Sequence, residues 1–166
     1  MSRIHNSMAM PYSCDERLGL DYHADLWTVP WRKLGFTYCG IYLITPEGKW
    51  PVKVGISEDA AGRLNTLQTA HWHQMRIVSY WFCENRTLAG RLEAKVHQSL
   101  INRRMMGEWF DIKKEKAAET VQFEANVLGI ELADRVPESA KFAPVRAHIE
   151  AFYESRGYHL AKSGKM

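Results

Sequence analysis

Two short strand-forming runs joined by a turn constrain this chain more than any other feature. Thr37 to Ile44 reads Thr-Tyr-Cys-Gly-Ile-Tyr-Leu-Ile, a β-branched and aromatic series. It stops at Thr45-Pro46-Glu47-Gly48, with proline where φ is fixed and glycine two residues later. A second run, Trp50 to Ile56, predicts the return strand of a β-hairpin. Ser57, followed by Glu58 and Asp59, reads as a helix N-cap with acids in the positive first turn. Ala60, Leu64 and Leu67 then mark one buried helical face to about Thr69. Met75 to Phe82 predicts a third strand. After Asn85-Arg86-Thr87 the recurrence of Leu88, Leu92, Val96 and Leu100 predicts the clearest helix of the chain.

Arg103 to Gly107 reads as a loop, and Glu108 to Ile112 as a short extended segment. Lys114 to Leu128 and Pro144 to Arg156 read as helices, each followed by the glycine that a left-handed cap prefers, Gly129 and Gly157. Residues 135–139 link them. The expected architecture is α+β: a small three-stranded sheet with helices packed on it, spanning 37–112. Residues 1–36 would form an N-terminal arm packed on that domain, since Leu26, Trp27, Val29, Trp31 and Leu34 are too apolar for a free tail. Residues 113–166 would form a C-terminal helical extension, a surface for a second copy or a protein partner.

Length and composition bound the rest. The chain has 166 residues, close to one domain of about 150. Its 46% hydrophobic and 25% charged content excludes a disordered or collagenous protein. A net charge of +3 does not by itself argue for nucleic acid. Cys14, Cys39 and Cys83 are far apart and form no Cys-x-x-Cys pair, which speaks against a disulfide framework or zinc ribbon and for a reducing, cytoplasmic setting. No signal-peptide stretch and no apolar run of about eighteen residues is visible, so a soluble protein without membrane contact is expected.

The motifs that carry chemistry occur in order: Gly40-Ile41-Tyr42 in the first strand, Lys53-Val54-Gly55 in the second, Arg63 in the next helix, Glu93 in the helix after it, and Gly107-Glu108-Trp109-Phe110 at the end. In this order, on a strand-strand-helix-strand-helix pattern, they resemble the GIY-YIG nuclease superfamily. The likeness is to the phage and bacterial subgroup whose second tripeptide reads Lys-Ile-Gly and whose domain closes on Gly-Glu-Trp-Phe. It covers about residues 37–112. The resemblance implies a metal-dependent DNA endonuclease using Mg²⁺ or Mn²⁺. In that role Tyr42 would orient or deprotonate water, Arg63 would stabilise transition-state charge, Glu93 would hold the metal, and Lys53 would contact water or the scissile phosphate. His97 matches the histidine that commonly follows the glutamate. Phosphodiester hydrolysis needs such parts: a group that orients water, a cation for the phosphoryl charge, and a metal, for which one carboxylate suffices.

Each residue also has a plainer reading. Tyr42 would be strand packing, Gly40 and Gly55 bulges or close backbone approach, and Arg63 an ion-pair partner of Asp59 four residues earlier. Glu93 lies in the Ala89-Glu93-His97 stripe beside the leucine stripe, at the margin of the core face where a cleft would open. His71-x-His73, with Cys83 and His97, raises zinc, yet no second paired spacing exists. His71, His73, Arg103 and Arg104 would instead contact DNA phosphates or belong to solvated loops. Trp109 and Phe110 read as core plugs. Lys53 stands where the wider superfamily has a tyrosine. A non-enzymatic, regulatory DNA-binding module using the same cleft is therefore the alternative, with a protein-binding domain behind it.

Overall fold

The structure, a computed structural model, describes residues 25–155. Its centre is an antiparallel sheet of β1 (Cys39–Pro46), β2 (Val52–Ser57), β3 (Met75–Cys83), β4 (Arg104–Met106) and β5 (Trp109–Phe110), in the order β3-β1-β2-β5-β4. The helices are α1 (Ala60–Gln68), α2 (Arg86–Ser99), α3 (Lys114–Leu128) and α4 (Ala143–Ser155). The class is α+β as expected, but the sheet has five strands and not three. Arg104–Met106, read as loop, pairs with Trp109–Phe110 across a turn at Gly107, whose φ is +56°. Strands of three and two residues, the former exposed throughout, carry no alternation for a sequence pattern to reveal.

β1 is buried on both faces, because it is the strand between β2 and β3 and helices cover both sides. Cys39, Ile41 and Leu43 pack into one layer with Leu92 and Val96 of α2 and Val121 of α3. Tyr42 and Ile44 pack into the other with Leu64 of α1, Val145 and Ile149 of α4, and Leu26, Val29 and Trp31 of the segment before the sheet. That segment forms two 3₁₀ turns, Leu26–Thr28 and Trp31–Leu34. The aromatic pair Trp27 and Phe152 joins it to α4, with ring centroids 6.1 Å apart.

The helix ends give one local difference from expectation. Ser57 closes β2, and its Oγ accepts from the Asp59 amide at 2.9 Å. Asp59 is the N-cap of α1, its Oδ1 accepting from Gly62 N at 3.0 Å. Asn85 caps α2 through Leu88 N at 2.9 Å, and Gly129 ends α3 in the left-handed conformation. Gly157 lies outside the described residues, as do Cys14 and most of the arm. Cys39 and Cys83, distant in sequence, face each other in register across β1 and β3 as free, buried thiols. Burial, with Cys83 adding to it, pushes the Cys39 thiol up to about 12. No helix among the described residues is long and apolar enough to cross a membrane.

Candidate active site

The two tripeptide glycines make room for tyrosine rings. Tyr42 stands directly opposite Gly55 in the β1–β2 register. A Cβ on Gly55 would lie 2.5 Å from Tyr42 Oη and 2.6 Å from its Cζ, so the ring rests on bare backbone. Gly40 does the same for Tyr80, whose Oη would meet a Cβ there at 2.3 Å and which accepts a hydrogen bond from Trp31 Nε1 at 2.7 Å. Of the two readings open for these glycines, close backbone approach is the one observed. The shift in β1–β3 pairing falls elsewhere, between Leu43 and Ile44.

Tyr42 is only 1% exposed. Burial raises its hydroxyl above the ordinary phenol range, Arg63 opposes this through a hydrogen bond and its charge, and Glu108 and Glu93 add a smaller upward push. Arg63 thus interacts with Tyr42 from α1, while Asp59 commits its carboxylate to the helix cap. Among the described residues, Arg63 makes no ion pair with Asp59.

Glu93 and His97 come from α2 and meet the outer edge of β2. β5 pairs with β2 only at Val52 and Lys53, so the backbone of Val54 and Ile56 on that edge needs other partners. Val54 N donates to Glu108 O at 3.2 Å, and the Val54 carbonyl accepts from His97 Nε2 at 2.9 Å. Because a carbonyl can only accept, Nε2 carries the proton, and in the neutral ring Nδ1 is the acceptor. Burial raises the half-buried Glu93 carboxyl, Glu108 adds to the rise, and His97, Lys53 and the nearby Ile56 backbone work against it.

Lys53 forms an ion pair with Glu108 and stands 6.0 Å from the centre of the Trp109 ring. The cluster therefore joins Tyr42, Lys53, Arg63, Glu93 and His97 with one residue given no role from sequence, Glu108. Its signal was the register of β5 on β2, invisible in so short a strand. Beside it opens a cavity of about 570 Å³ lined by His97, Gln98, Ile101, Arg104, Gly107, Glu108 and Phe110.

The other candidates lie outside this cluster. Arg103 ends a 3₁₀ turn past α2, and Arg104 Nε donates to Gly107 O at 2.8 Å, closing the β4–β5 hairpin. Both are exposed. His71 and His73 are exposed in the connection from α1 to β3; the His71 ring lies 6.0 Å from Trp109, at the rim of the cluster. Trp109 is partly buried and Phe110 fully, the latter 5.2 Å from the His97 ring.

Among the described residues, no group of three or more His, Cys, Asp and Glu side chains could cage a metal ion. Glu93 and Glu108 instead offer two carboxylates, close enough that the charge of one raises the other. That donor set fits a hard, oxygen-seeking cation that keeps most of its waters, as Mg²⁺ does, and does not fit a closed zinc site.

Residues 39–124 match the T5orf172 domain. The chain belongs to this family. The T5orf172 domain is related to the GIY-YIG nucleases, and the match begins at β1 and runs through the whole cluster into α3. No curated protein and no solved structure matches the chain.

Proposed function

We propose that this T5orf172 protein is a DNA endonuclease that hydrolyses phosphodiester bonds with Mg²⁺ or Mn²⁺. The observation that supports this best is the convergence at Gly55 and Ile56 of a buried phenol, a guanidinium, an ammonium, an imidazole and two carboxylates. Structural ion pairs seldom need that variety, whereas phosphoryl transfer to water does.

Tyr42 keeps its proton because burial raises its pKa, so its hydroxyl orients the attacking water by hydrogen bonding. Arg63 presents a planar fork to the phosphoryl oxygens as their charge grows. His97, fixed by the Val54 carbonyl one helical turn after Glu93, keeps its ring oriented at the cleft. Lys53 neutralises Glu108 in the resting state and turns to the scissile phosphate when DNA arrives. Glu93, with Glu108 beside it, would hold the cation, which supplies Lewis-acid polarisation of the phosphate and stabilises the leaving oxygen.

The Lys53–Glu108 pair also favours a second reading, a DNA-binding module without cleavage, because it occupies the amino group that replaces the second-motif tyrosine. Incubating the purified protein with supercoiled and branched DNA, with and without Mg²⁺ or Mn²⁺, separates the two. Nicking only with metal supports the nuclease; binding with no nicking under any metal condition selects the module.

A further inference from the structure

The connection between α1 and β3 displays a tryptophan that the core does not use. Trp72 is 100% exposed, and His71 and His73 on either side are exposed as well. The backbone beneath them is firmly held. Gln68 Nε2 donates to the His73 carbonyl at 2.9 Å and to that of His71 at 3.4 Å, while its Oε1 accepts from Met75 N at 2.7 Å. Glu47 braces the far end: its amide donates to Gln74 O at 2.7 Å and its Oε1 accepts from Gln74 N at 3.0 Å. The loop backbone is held, and the Trp72 side chain stands in solvent.

The position of this loop indicates what the ring meets. The His71 ring is 6.0 Å from Trp109, and Trp109 is 6.0 Å from Lys53 Nζ, so the residue next to Trp72 in the chain lies at the rim of the cluster. A specific protein interface covers about 800 Å² on each partner and centres on an apolar patch. The residues beside Trp72 in the chain, Thr69, Ala70, His71 and His73, are small or polar and all exposed. A lone indole in such surroundings matches the face of one nucleobase, with histidines beside it to donate to phosphates.

We propose that Trp72 is a base-stacking platform that engages an unpaired base of DNA next to the cleft. The proposal rests on the reading of the cleft as a DNA site and adds a substrate preference: flapped, gapped or branched DNA over continuous duplex. In a perfect duplex the base faces are occupied by their neighbours, and the ring has nothing to stack on without unstacking a step.

Fluorescence anisotropy with the full chain, in EDTA so that nothing is cut, tests this with a flap DNA and a fully paired duplex of equal length. The parent should bind the flap more tightly. Trp72→Ala should weaken flap binding by about 5- to 150-fold, the range for one lost base stack, with little change on duplex. Trp72→Phe should retain most of the preference. Folding is checked by thermal melting, which a fully exposed side chain should leave unmoved. Unchanged flap affinity in Trp72→Ala, or an equal loss on both DNAs, overturns the stacking role and leaves the cleft reading intact. If the parent binds neither DNA, both readings fall together.

Discussion

Adding one methyl group at Gly55 tests whether the second tripeptide exists to seat Tyr42. In Gly55→Ala the new Cβ would stand 2.5 Å from Tyr42 Oη, 2.6 Å from Cζ and 2.9 Å from Cε1, where ordinary contact begins at 3.4 Å. The hydroxyl end must therefore move by roughly 0.9 Å, the difference between 3.4 and 2.5 Å. The ring has little space to do so, since Tyr42 is 1% exposed and packed among Ile44, Tyr80 and the helices of its layer. Overpacking of this kind costs about 1–3 kcal/mol, which corresponds to a fall in Tm of about 2–12 °C for a chain of this size. A displacement near 1 Å in a positioned group also costs about 10²-fold in rate. Circular dichroism melts and a plasmid-nicking assay read the two effects separately. In a Tyr42→Leu background, which lacks all three clashing atoms, Gly55→Ala should become nearly neutral, a strong non-additivity. If Gly55→Ala melts and nicks like the parent, or costs the same in both backgrounds, Tyr42 does not depend on the bare backbone at Gly55.

Further outcomes follow from the same cluster. Glu93→Gln should abolish metal-dependent nicking while DNA binding stays equal or strengthens; parent-like nicking would remove Glu93 as metal ligand. Because the folded state raises the Glu93 carboxyl, it holds that proton more tightly than the unfolded chain does, and stability falls as pH rises from the ordinary 4.5 towards the raised value. Without metal, Glu93→Gln should therefore melt above the parent at neutral pH, with the gap closing below about pH 4. Arg63→Lys should lower cleavage far more than binding, since charge survives but the planar fork is lost; equal turnover would refute the phosphoryl role. DNA affinity should fall steeply with salt, by about 0.9 log units per decade for each neutralised duplex phosphate, and a flat response would exclude a cationic DNA track.

The sequence was most legible where burial was one-sided or complete. The unbroken apolar run of β1 and the residues Leu92 and Val96 of α2, with Leu100 at its C-cap, mark buried positions that the fold fills as read, while Leu88 of the same stripe is only partly buried. Glu93, at the margin of that stripe, is half-buried, as a residue at the edge of a core face should be. What could not be read was pairing between distant segments. The facing of Cys39 and Cys83, the docking of Glu108 on Lys53 and the reach of Arg63 to Tyr42 all depend on register across the sheet, which no local period encodes. The N-cap falls at Asp59 and not at Ser57 for a related reason. Ser57 is an equally good cap by chemistry, and only the continuation of β2 to that residue decides between them.

The cluster also explains why the last strands are so short. Tyr42 belongs to the layer on one face of the sheet, with α1 and α4, whereas Glu93 and His97 ride on α2, which packs on the other. Groups on opposite faces of a sheet can meet only around an edge. β2 provides that edge, because β5 pairs with it at Val52 and Lys53 and then stops. The outward carbonyl of Val54, which a longer neighbour would have taken into its ladder, accepts from His97 instead, and the Ile56 backbone beyond it is left facing Glu93. Lengthening β5 by two residues would complete the ladder and stabilise the sheet as a sheet. It would also displace His97 from the carbonyl that orients it. The truncated strand is thus what leaves this edge open, and there the phenol of one face comes within electrostatic reach of the Glu93 and Glu108 carboxylates.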